Sequence, residues 1–505
     1  MPDYPTLAAV DLGSNSFHLQ VARVVGEQIF PLDGLREPIR LGAGLGEDKT
    51  LDEPTQARAL DCLMRFGERL RGLPKGAVRA VGTNTLRVAK NAKAFLKQAQ
   101  GALGVPVDII AGREEARLIY LGVAHSLPMT RERRLVVDIG GGSTEFIIGS
   151  GLKPLRLESL YMGCVSWSLR FFPGGKITKA ALKQAELAAR TELQTMATGF
   201  SRKHWNQAVA SSGTARSLAE VIQLNGMGDG TISAQGLNAL RAQMLKAGDI
   251  ERLDLTGLRA DRVPVFAGGF AIMSAIIDEL KADSITITNG ALRQGILWDL
   301  LGRVHHHDMR DVTAAQLMRR YHVDAAQAKR VMRLATSLLR QIVDGENAES
   351  MQRPVAWAAS LHEIGITVAY NGYHKHSAYI LRNADMPGFS RAEQEQLALL
   401  VLAHRGQLRK LGEFAVADDD WPSVVALRLA TLFSRSRVDA TFPEFSLRRR
   451  NDAFILGVPA GWLADNPLTE TALREEVKLW RGCGHSLDVR VTGAQGAGTA
   501  LPSAT

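Results

Sequence analysis

The stretch Leu135-Val-Val-Asp138-Ile-Gly140-Gly141-Gly142-Ser143-Thr144-Glu145-Phe-Ile-Ile-Gly149 constrains the fold more than any other part of the chain. An apolar run leads into Asp138, three glycines follow, and a second run of β-branched and aromatic residues leaves. That pattern predicts strand, tight glycine loop and strand. Without Cβ atoms the loop backbone can approach an anion closely. Its N–H groups, with Ser143 and Thr144, can converge on phosphate oxygens. Asp138, at the strand end, is placed to hold Mg2+ directly or through water. No lysine follows the glycines and the spacing is not that of a dinucleotide fingerprint, which excludes a Walker loop and a Rossmann turn.

Leu7-Ala-Ala-Val-Asp11-Leu-Gly13-Ser14-Asn15-Ser16-Phe17 repeats the design. Laying Asp11 over Asp138 superposes Val10 on Val137, Gly13 on Gly140 and Ser16 on Ser143. Two related halves follow, each with an acid and an anion cradle, and a cleft between them suits a phosphorylated ligand with a metal. The chain is long enough for this, since 505 residues predict two to four domains.

Further strand, turn and helix-start units follow the first cradle. Val78 to Gly82 leads through Thr83-Asn84-Thr85 to Arg87, whose guanidinium fork matches phosphate oxygens. Val107 to Ala111 leads to Glu114 and Glu115 in the first turn of a helix. Splitting a phosphoanhydride needs one carboxylate to orient and deprotonate water, and Glu114, just past a strand end, is the candidate; Glu145 is the second acid in reach of that water or a metal. Val209 to Arg216, Val265 to Gly269 and Ile285 to Arg293 repeat the unit in the second half, so the fold expected is α/β with mixed sheets.

From about Gly302 the character changes. Arg303-Val-His305-His306-His307-Asp308 lacks partner ligands and reads as a solvated linker. Residues 313–437 carry helix-period apolar positions. Within them Leu361-His362-Glu363, His374, His376 and His404-Arg405 are similar to the His-Asp metal phosphohydrolase fold, but Glu363 stands where the Asp belongs. A second active site is therefore not expected there; ligand binding or packing is. From Phe445, short strands and one helix predict a small α/β cap, and Gly493 to Thr505 is read as a disordered tail.

The net charge of +9, from 61 basic against 52 acidic residues, favours polyanions. The arginine clusters have no interleaved aromatics and no nucleic-acid-binding signature, so nucleic acid is not the expected partner. No apolar run reaching about 18 residues is apparent, and Met-Pro-Asp-Tyr-Pro is not a signal sequence, so a cytoplasmic protein is expected, with membrane association at a basic face left open. Cys62, Cys164 and Cys483 have no metal-ligand spacing and fit reduced thiols.

Taken together, Asp11-Leu-Gly-Ser-Asn-Ser16, Gly82-Thr-Asn-Thr-Leu-Arg87, Glu114-Glu-Ala-Arg-Leu-Ile119, Asp138 to Glu145, Met162-Gly-Cys164, Ser212-Gly-Thr214 and Asn289-Gly-Ala-Leu-Arg293 resemble the exopolyphosphatase and guanosine pentaphosphate phosphohydrolase (Ppx/GppA) family. The resemblance implies two actin/sugar kinase-like (ribonuclease H-like) domains, at 1–125 and 126–302. It further implies an all-α HD-like domain at 303–444 and a small α/β C-terminal domain at 445–492. It implies Glu114 and Glu145 as catalytic groups and Asp11, Asp138 and Glu145 on the metal side. Ser14, Asn15, Arg87, Gly141, Gly142, Ser143, Ser212, Gly213 and Thr214 would hold phosphates. Mg2+ is the cofactor implied, with a monovalent cation such as K+ left open, and a homodimer is expected. The unbroken glycine loop, Thr83-Asn84-Thr85 and Phe171-Phe-Pro-Gly-Gly175 look more like the exopolyphosphatase branch, which removes orthophosphate processively from inorganic polyphosphate. The rivals are hydrolysis of guanosine pentaphosphate, with guanosine tetraphosphate as a related ligand, a non-catalytic polyphosphate or alarmone sensor, and a kinase of the sugar-kinase type.

Overall fold

The computed structural model describes residues 4–128, 130–304, 308–343, 346–413, 416–481, 483–492 and 499–500. Met1–Met309 form one compact unit and Arg310–Thr505 another.

In the first unit, β1 (Thr6–Leu12), β2 (Phe17–Val25), β3 (Gln28–Glu37), β4 (Val78–Gly82) and β5 (Val107–Ile109) make a sheet in the order β3-β2-β1-β4-β5. The first three strands form an antiparallel meander, while β4 runs parallel to β1 and β5 to β4. A second sheet repeats this plan with β6 (Arg134–Ile139), β7 (Thr144–Ser150), β8 (Lys153–Leu160), β9 (Gln207–Ala210), β10 (Ile232–Ser233) and β11 (Ser284–Ile287). Its order is β10-β11-β9-β6-β7-β8, with β6-β7-β8 antiparallel and β9 parallel to β6. The duplication read at Asp11 and Asp138 is therefore one of topology as well as sequence. Asp11 faces His18 across the first hairpin and Asp138 faces Glu145 across the second.

Four helices position the groups that matter: α1 (Gly112–Ser126), α2 (Gly213–Leu224), α3 (Val263–Leu280) and α4 (Leu292–Val304). Helices α1 and α4 share one core with both sheets, joining Leu7, Ala9 and Val81 of the first to Val136, Ile147 and Val209 of the second. They cross backbone to backbone. A Cβ at Gly122 would lie 2.2 Å from Ala291 O and one at Gly295 only 1.7 Å from Leu118 O. By length and composition α3 could cross a membrane, contrary to the reading that no apolar run is that long. Its hydropathy has another cause: 78% of the helix is buried, with Phe266, Phe270, Met273 and Ile276 in the core of the second half. Val265 to Gly269, expected as strand and turn, lies inside this helix, and Gly268 and Gly269 are there for close packing against Cys164 and Thr214.

The second unit begins with helices Met309–Arg320, Ala325–Leu339 and Glu346–Leu361. It continues through α5 (Tyr373–Asn383), α6 (Arg391–Ala403) and α7 (Trp421–Phe433). A sheet follows, β12 (Ser446–Arg450), β13 (Ala453–Pro459), β14 (Ser486–Thr492) and β15 (Thr499–Ala500), in that order, with the helix Pro467–Trp480. The helical part and this sheet share one core, in which Leu338, Val424 and Leu429 meet Leu447, Phe454 and Trp480. Where the HD-like resemblance places a metal centre, the His362 and His404 rings meet edge to face at 5.1 Å, and Glu363 is paired with Arg437. No group of three or more His, Cys, Asp or Glu among the described residues could hold a metal ion. His305, His306 and His307 lie outside the described residues; Asp308, placed with them in a solvated linker, is buried. The expected disordered tail also lies outside them, except that Thr499 and Ala500 pair with β14 as a strand.

Candidate active site

A cavity of about 380 Å3 is lined by both hairpin loops of the first unit. The loops touch: a Cβ at Gly141 would sit 2.9 Å from Ser14 Cβ and 3.0 Å from Asn15 N. Among the described residues no acceptor takes the N–H groups of Ser14, Asn15, Gly141 or Ser143, so they are available to an anion. Thr85 donates its hydroxyl to Ser14 Oγ at 2.7 Å, which fixes the first loop. The N-terminus of α2 opens onto the same space through Ser212, Gly213 and Thr214. Thr214 Oγ1 donates its proton to Ile139 O at 3.0 Å, whereas Ser212 Oγ caps the helix by accepting from Ala215 N at 3.0 Å and keeps its own proton to donate. What this loop offers an anion is the Ser212 hydroxyl and the helix end itself.

One side of the cavity is acidic. Asp11, Asp138 and Glu115 line it, and Ser211 donates a hydrogen bond to Asp138 Oδ2. Burial pushes Asp11 up to about 7, and the neighbouring Glu115 and Asp138 charges add to this while Arg293 opposes it. Burial does the same to Asp138, also to about 7, with Ser211 and Arg216 opposing and Glu115 adding. Glu115 is raised by burial and held back by Arg87, which donates to Glu115 Oε2 at 2.9 Å.

Arg36, Arg216, Arg259, Arg262 and Arg293 line the same cavity, with Arg293 acting on Asp11 and Arg216 on Asp138. Arg262 lies directly over Gly213, where a Cβ would fall 2.1 Å from Nη2. Asp261 ties the wall together, accepting from Arg36 at 2.6 Å and from Arg259 at 3.1 Å. His18 sits among these arginines, and burial with the nearby guanidinium charges holds its imidazole well below the usual value; it is neutral and bonded to Arg293 at 2.9 Å.

Four expected site residues stand elsewhere. Glu114 is absent from the cavity lining: both its oxygens accept from Arg117, at 2.7 and 2.8 Å, in a buried ion network with Arg79 and Asp299. The carboxylate presented by this helix is Glu115. A signal for this exists in the sequence, since Glu114 has an arginine at i+3, the spacing of a helix-surface ion pair, and Glu115 has no cation at i+3 or i+4. Arg87 also stays off the lining; it backs Glu115 and donates to Ile110 O at 2.8 Å. Glu145 is sealed behind the cavity, accepting from Ser159 Oγ at 2.8 Å, and burial with the Glu115 and Asp138 charges raises it well above the carboxylate range. Gly142 lies against Asn84, whose Oδ1 would be 2.5 Å from a Cβ there. The remaining expected residues, Asp11, Ser14, Asn15, Asp138, Gly141, Ser143, Ser212, Gly213 and Thr214, line one cavity. Arg36, Arg259 and Arg262, missed from the sequence, come from segments with no motif of their own; Arg216 and Arg293 occupy the helix starts where such units place ligand groups.

The acidic side suits Mg2+. Asp11 Oδ1 is buried without a hydrogen-bond partner, and two carboxylates raised by burial would be relieved by a dication. No set of three protein ligands is assembled among the described residues, which matches the habit of Mg2+ of taking one or two carboxylates and filling its shell with water and phosphate.

Residues 20–304 match the Ppx/GppA phosphatase family and residues 309–477 match domain III of that family. A guanosine-5'-triphosphate,3'-diphosphate pyrophosphatase of Vibrio cholerae is 39% identical over 492 residues, covering 96% of this chain and 98% of the relative. The crystal structure of an exopolyphosphatase from Cytophaga hutchinsonii is similar at 25% identity and a TM-score of 0.54, covering 59% of this chain and 98% of that one. An exopolyphosphatase-like protein, at 23% identity and a TM-score of 0.53, shares the fold over 59% of this chain. With both halves of the first unit and the second unit accounted for, the chain belongs to the Ppx/GppA phosphatase family and is a phosphoanhydride hydrolase.

Proposed function

We propose that the chain hydrolyses the terminal phosphoanhydride of guanosine pentaphosphate, releasing orthophosphate from its 5'-triphosphate. The observation that carries this reading is how the charges lining the cavity are grouped: Arg293 and Arg216 act on the carboxylates of Asp11 and Asp138, while three further arginines, Arg36, Arg259 and Arg262, gather on Asp261. A substrate with a scissile phosphate at one end and a second anionic group away from it matches that division, and the 3'-diphosphate supplies the second group. The nearly full-length likeness to the Vibrio cholerae enzyme supports the same substrate. This reverses the order of preference that the glycine loop suggested.

Glu115 is the base in this reading. It accepts the proton of the attacking water, the water oxygen bonds to the terminal phosphorus, and the bridging oxygen leaves with its electron pair on the remaining diphosphate. Arg87 fixes the carboxylate through Oε2 and keeps it ionisable against burial. Glu145 stands behind it, its carboxyl raised well above the usual value by burial and by the Glu115 and Asp138 charges. The free N–H groups of Ser14, Asn15, Gly141 and Ser143, with the end of α2, hold phosphate oxygens, and Arg36, Arg259 and Arg262 hold the distal anion. Mg2+ held at Asp11 and Asp138 would supply charge neutralisation on the phosphate chain.

Exopolyphosphatase activity is the second reading, favoured by the likeness to the Cytophaga hutchinsonii structure and by the surplus of basic residues. Phosphate release with Mg2+ from guanosine pentaphosphate and from long-chain polyphosphate, side by side, separates the two. Faster release from pentaphosphate, lost in Glu115→Gln, is expected; release from polyphosphate alone would overturn the substrate and keep the base.

A further inference from the structure

In the second unit, cations gather around one imidazole without acids to match them. His374 and Lys375 stand in the first turn of α5, and Arg405 and Lys410 follow the end of α6. The Lys410 ammonium and the His374 ring converge on Gly406, where a Cβ would lie 3.4 Å from Lys410 Nζ and 3.7 Å from His374 Nε2. The Arg405 guanidinium lies over the Tyr373 ring of the same turn, 5.3 Å from its centroid. Arg428 of α7 also reaches Gly406, donating to its carbonyl at 3.1 Å, but Arg428 is matched by Glu476, which it grips through Nε and Nη2. The acid that acts on Lys410 is that same Glu476. His374 Nδ1 is buried and has no hydrogen-bond partner among the described residues. Burial, and then the Arg428, Lys375 and Arg405 charges, bring Lys410 down to about 7; burial, and then Lys410, Arg405, Lys375 and Arg428, bring His374 to about 4.

Ammonium and guanidinium groups only donate, so the cluster cannot take a cation. A doubly charged tetrahedral anion with several acceptor oxygens would relieve the repulsion and occupy the guanidinium fork, the ammonium and an imidazole N–H together. We propose that His374, Lys375, Arg405 and Lys410 form a phosphate-binding site within the second unit, built wholly from residues that the hydrolytic cavity does not use. The phosphate would be free orthophosphate, a group of an inorganic phosphate chain, or a nucleotide phosphate; the chemistry is shared and the experiment tells them apart.

Full-length protein is treated in EDTA at pH 7 with a lysine-directed acylating reagent, and modification of Lys410 is followed by peptide mass spectrometry. The additions are orthophosphate, inorganic tripolyphosphate, guanosine tetraphosphate, or sodium chloride at matched ionic strength. An anion that raises the lysine by one pKa unit from about 7 cuts its neutral fraction, and hence its acylation, about fivefold. That slowing is expected with at least one phosphate probe and not with chloride, and the effective probe names the source. Arg405→Gln, a change at an exposed side chain, should remove most of the protection. Equal slowing by chloride, no slowing by any phosphate, or full protection in Arg405→Gln would each overturn the proposal. The readout sits at Lys410 itself and does not depend on which substrate the cavity hydrolyses.

Discussion

Glu114 and Glu115 are chain neighbours that face opposite environments: Glu114 is gripped by Arg117 inside the protein, while Glu115 opens onto the cavity with Arg87 at its back. Successive residues on a helix point about 100° apart, so the crossing of α1 with α4 decides which of two identical side chains lines the cavity. Asp299 of α4, bonded to Arg117 at 2.5 Å and to Arg79 of β4, holds that choice in place.

The two glutamates should separate by substitution. Glu115→Gln is expected to lower kcat by about 10²- to 10⁴-fold, and, although it also removes the ionised partner of Arg87, to cost less stability than Glu114→Gln, because burial already raises the Glu115 carboxyl. Glu114→Gln removes one partner of a buried ion network and should destabilise by about 3–5 kcal/mol. Melting curves and phosphate release on both variants decide; a larger rate loss than stability loss in Glu114→Gln would return the base to that residue.

The acidic side predicts a pH dependence. Asp11 and Asp138 stand near 7 in the folded chain and Glu115 is also raised, whereas unfolded carboxyls titrate near 4. The folded state therefore keeps protons that the unfolded state releases, so these groups contribute full stability below about pH 4 and lose it as pH rises through 7. Melting in EDTA should fall from pH 5 to 8, and Mg2+ should oppose the fall at the upper end. Phosphate release should rise over the same range. A melting temperature independent of pH in EDTA would contradict the assigned burial of these acids.

Arg262 should discriminate substrates. Losing a hydrogen-bonding charge of this kind costs about 1.5–3 kcal/mol, so Arg262→Gln is expected to raise KM for guanosine pentaphosphate by about 10- to 150-fold and to affect inorganic tripolyphosphate much less. Gly213→Ala should act in the same direction, because its Cβ would displace the guanidinium, 2.1 Å away, rather than any backbone. Equal losses on both substrates would remove Arg262 from the distal anion site.

The contact between the two loops can be tested at Gly141. An alanine there meets Ser14 Cβ at 2.9 Å and Asn15 N at 3.0 Å, and overpacking of this kind costs about 1–3 kcal/mol. Gly141→Ala is expected to lower both the melting temperature and kcat, since the displaced atoms include the backbone N–H groups that face the anion. A variant with unchanged kcat would show that the loops need not touch for turnover.

The sequence by itself determined the paired cradles. Asp11 and Asp138, each closing an apolar strand before a glycine turn, specify two hairpins of one design because strand alternation and glycine placement are local rules. It also determined the α/β class and most of the cavity-facing backbone, since the turns at Ser14, Gly141 and Gly213 bring their main chain to the lining. Side-chain direction was decided elsewhere. That Glu115 rather than Glu114 lines the cavity, that Arg87 backs Glu115, and that Glu145 lies behind the cavity all follow from how α1, α4 and the strand ends are rotated against one another. The arginine wall depends on tertiary structure still more strongly: Arg36 and Arg262 are 226 positions apart in the chain yet share Asp261. No local pattern marks them, because their proximity exists only once the two halves close the cavity.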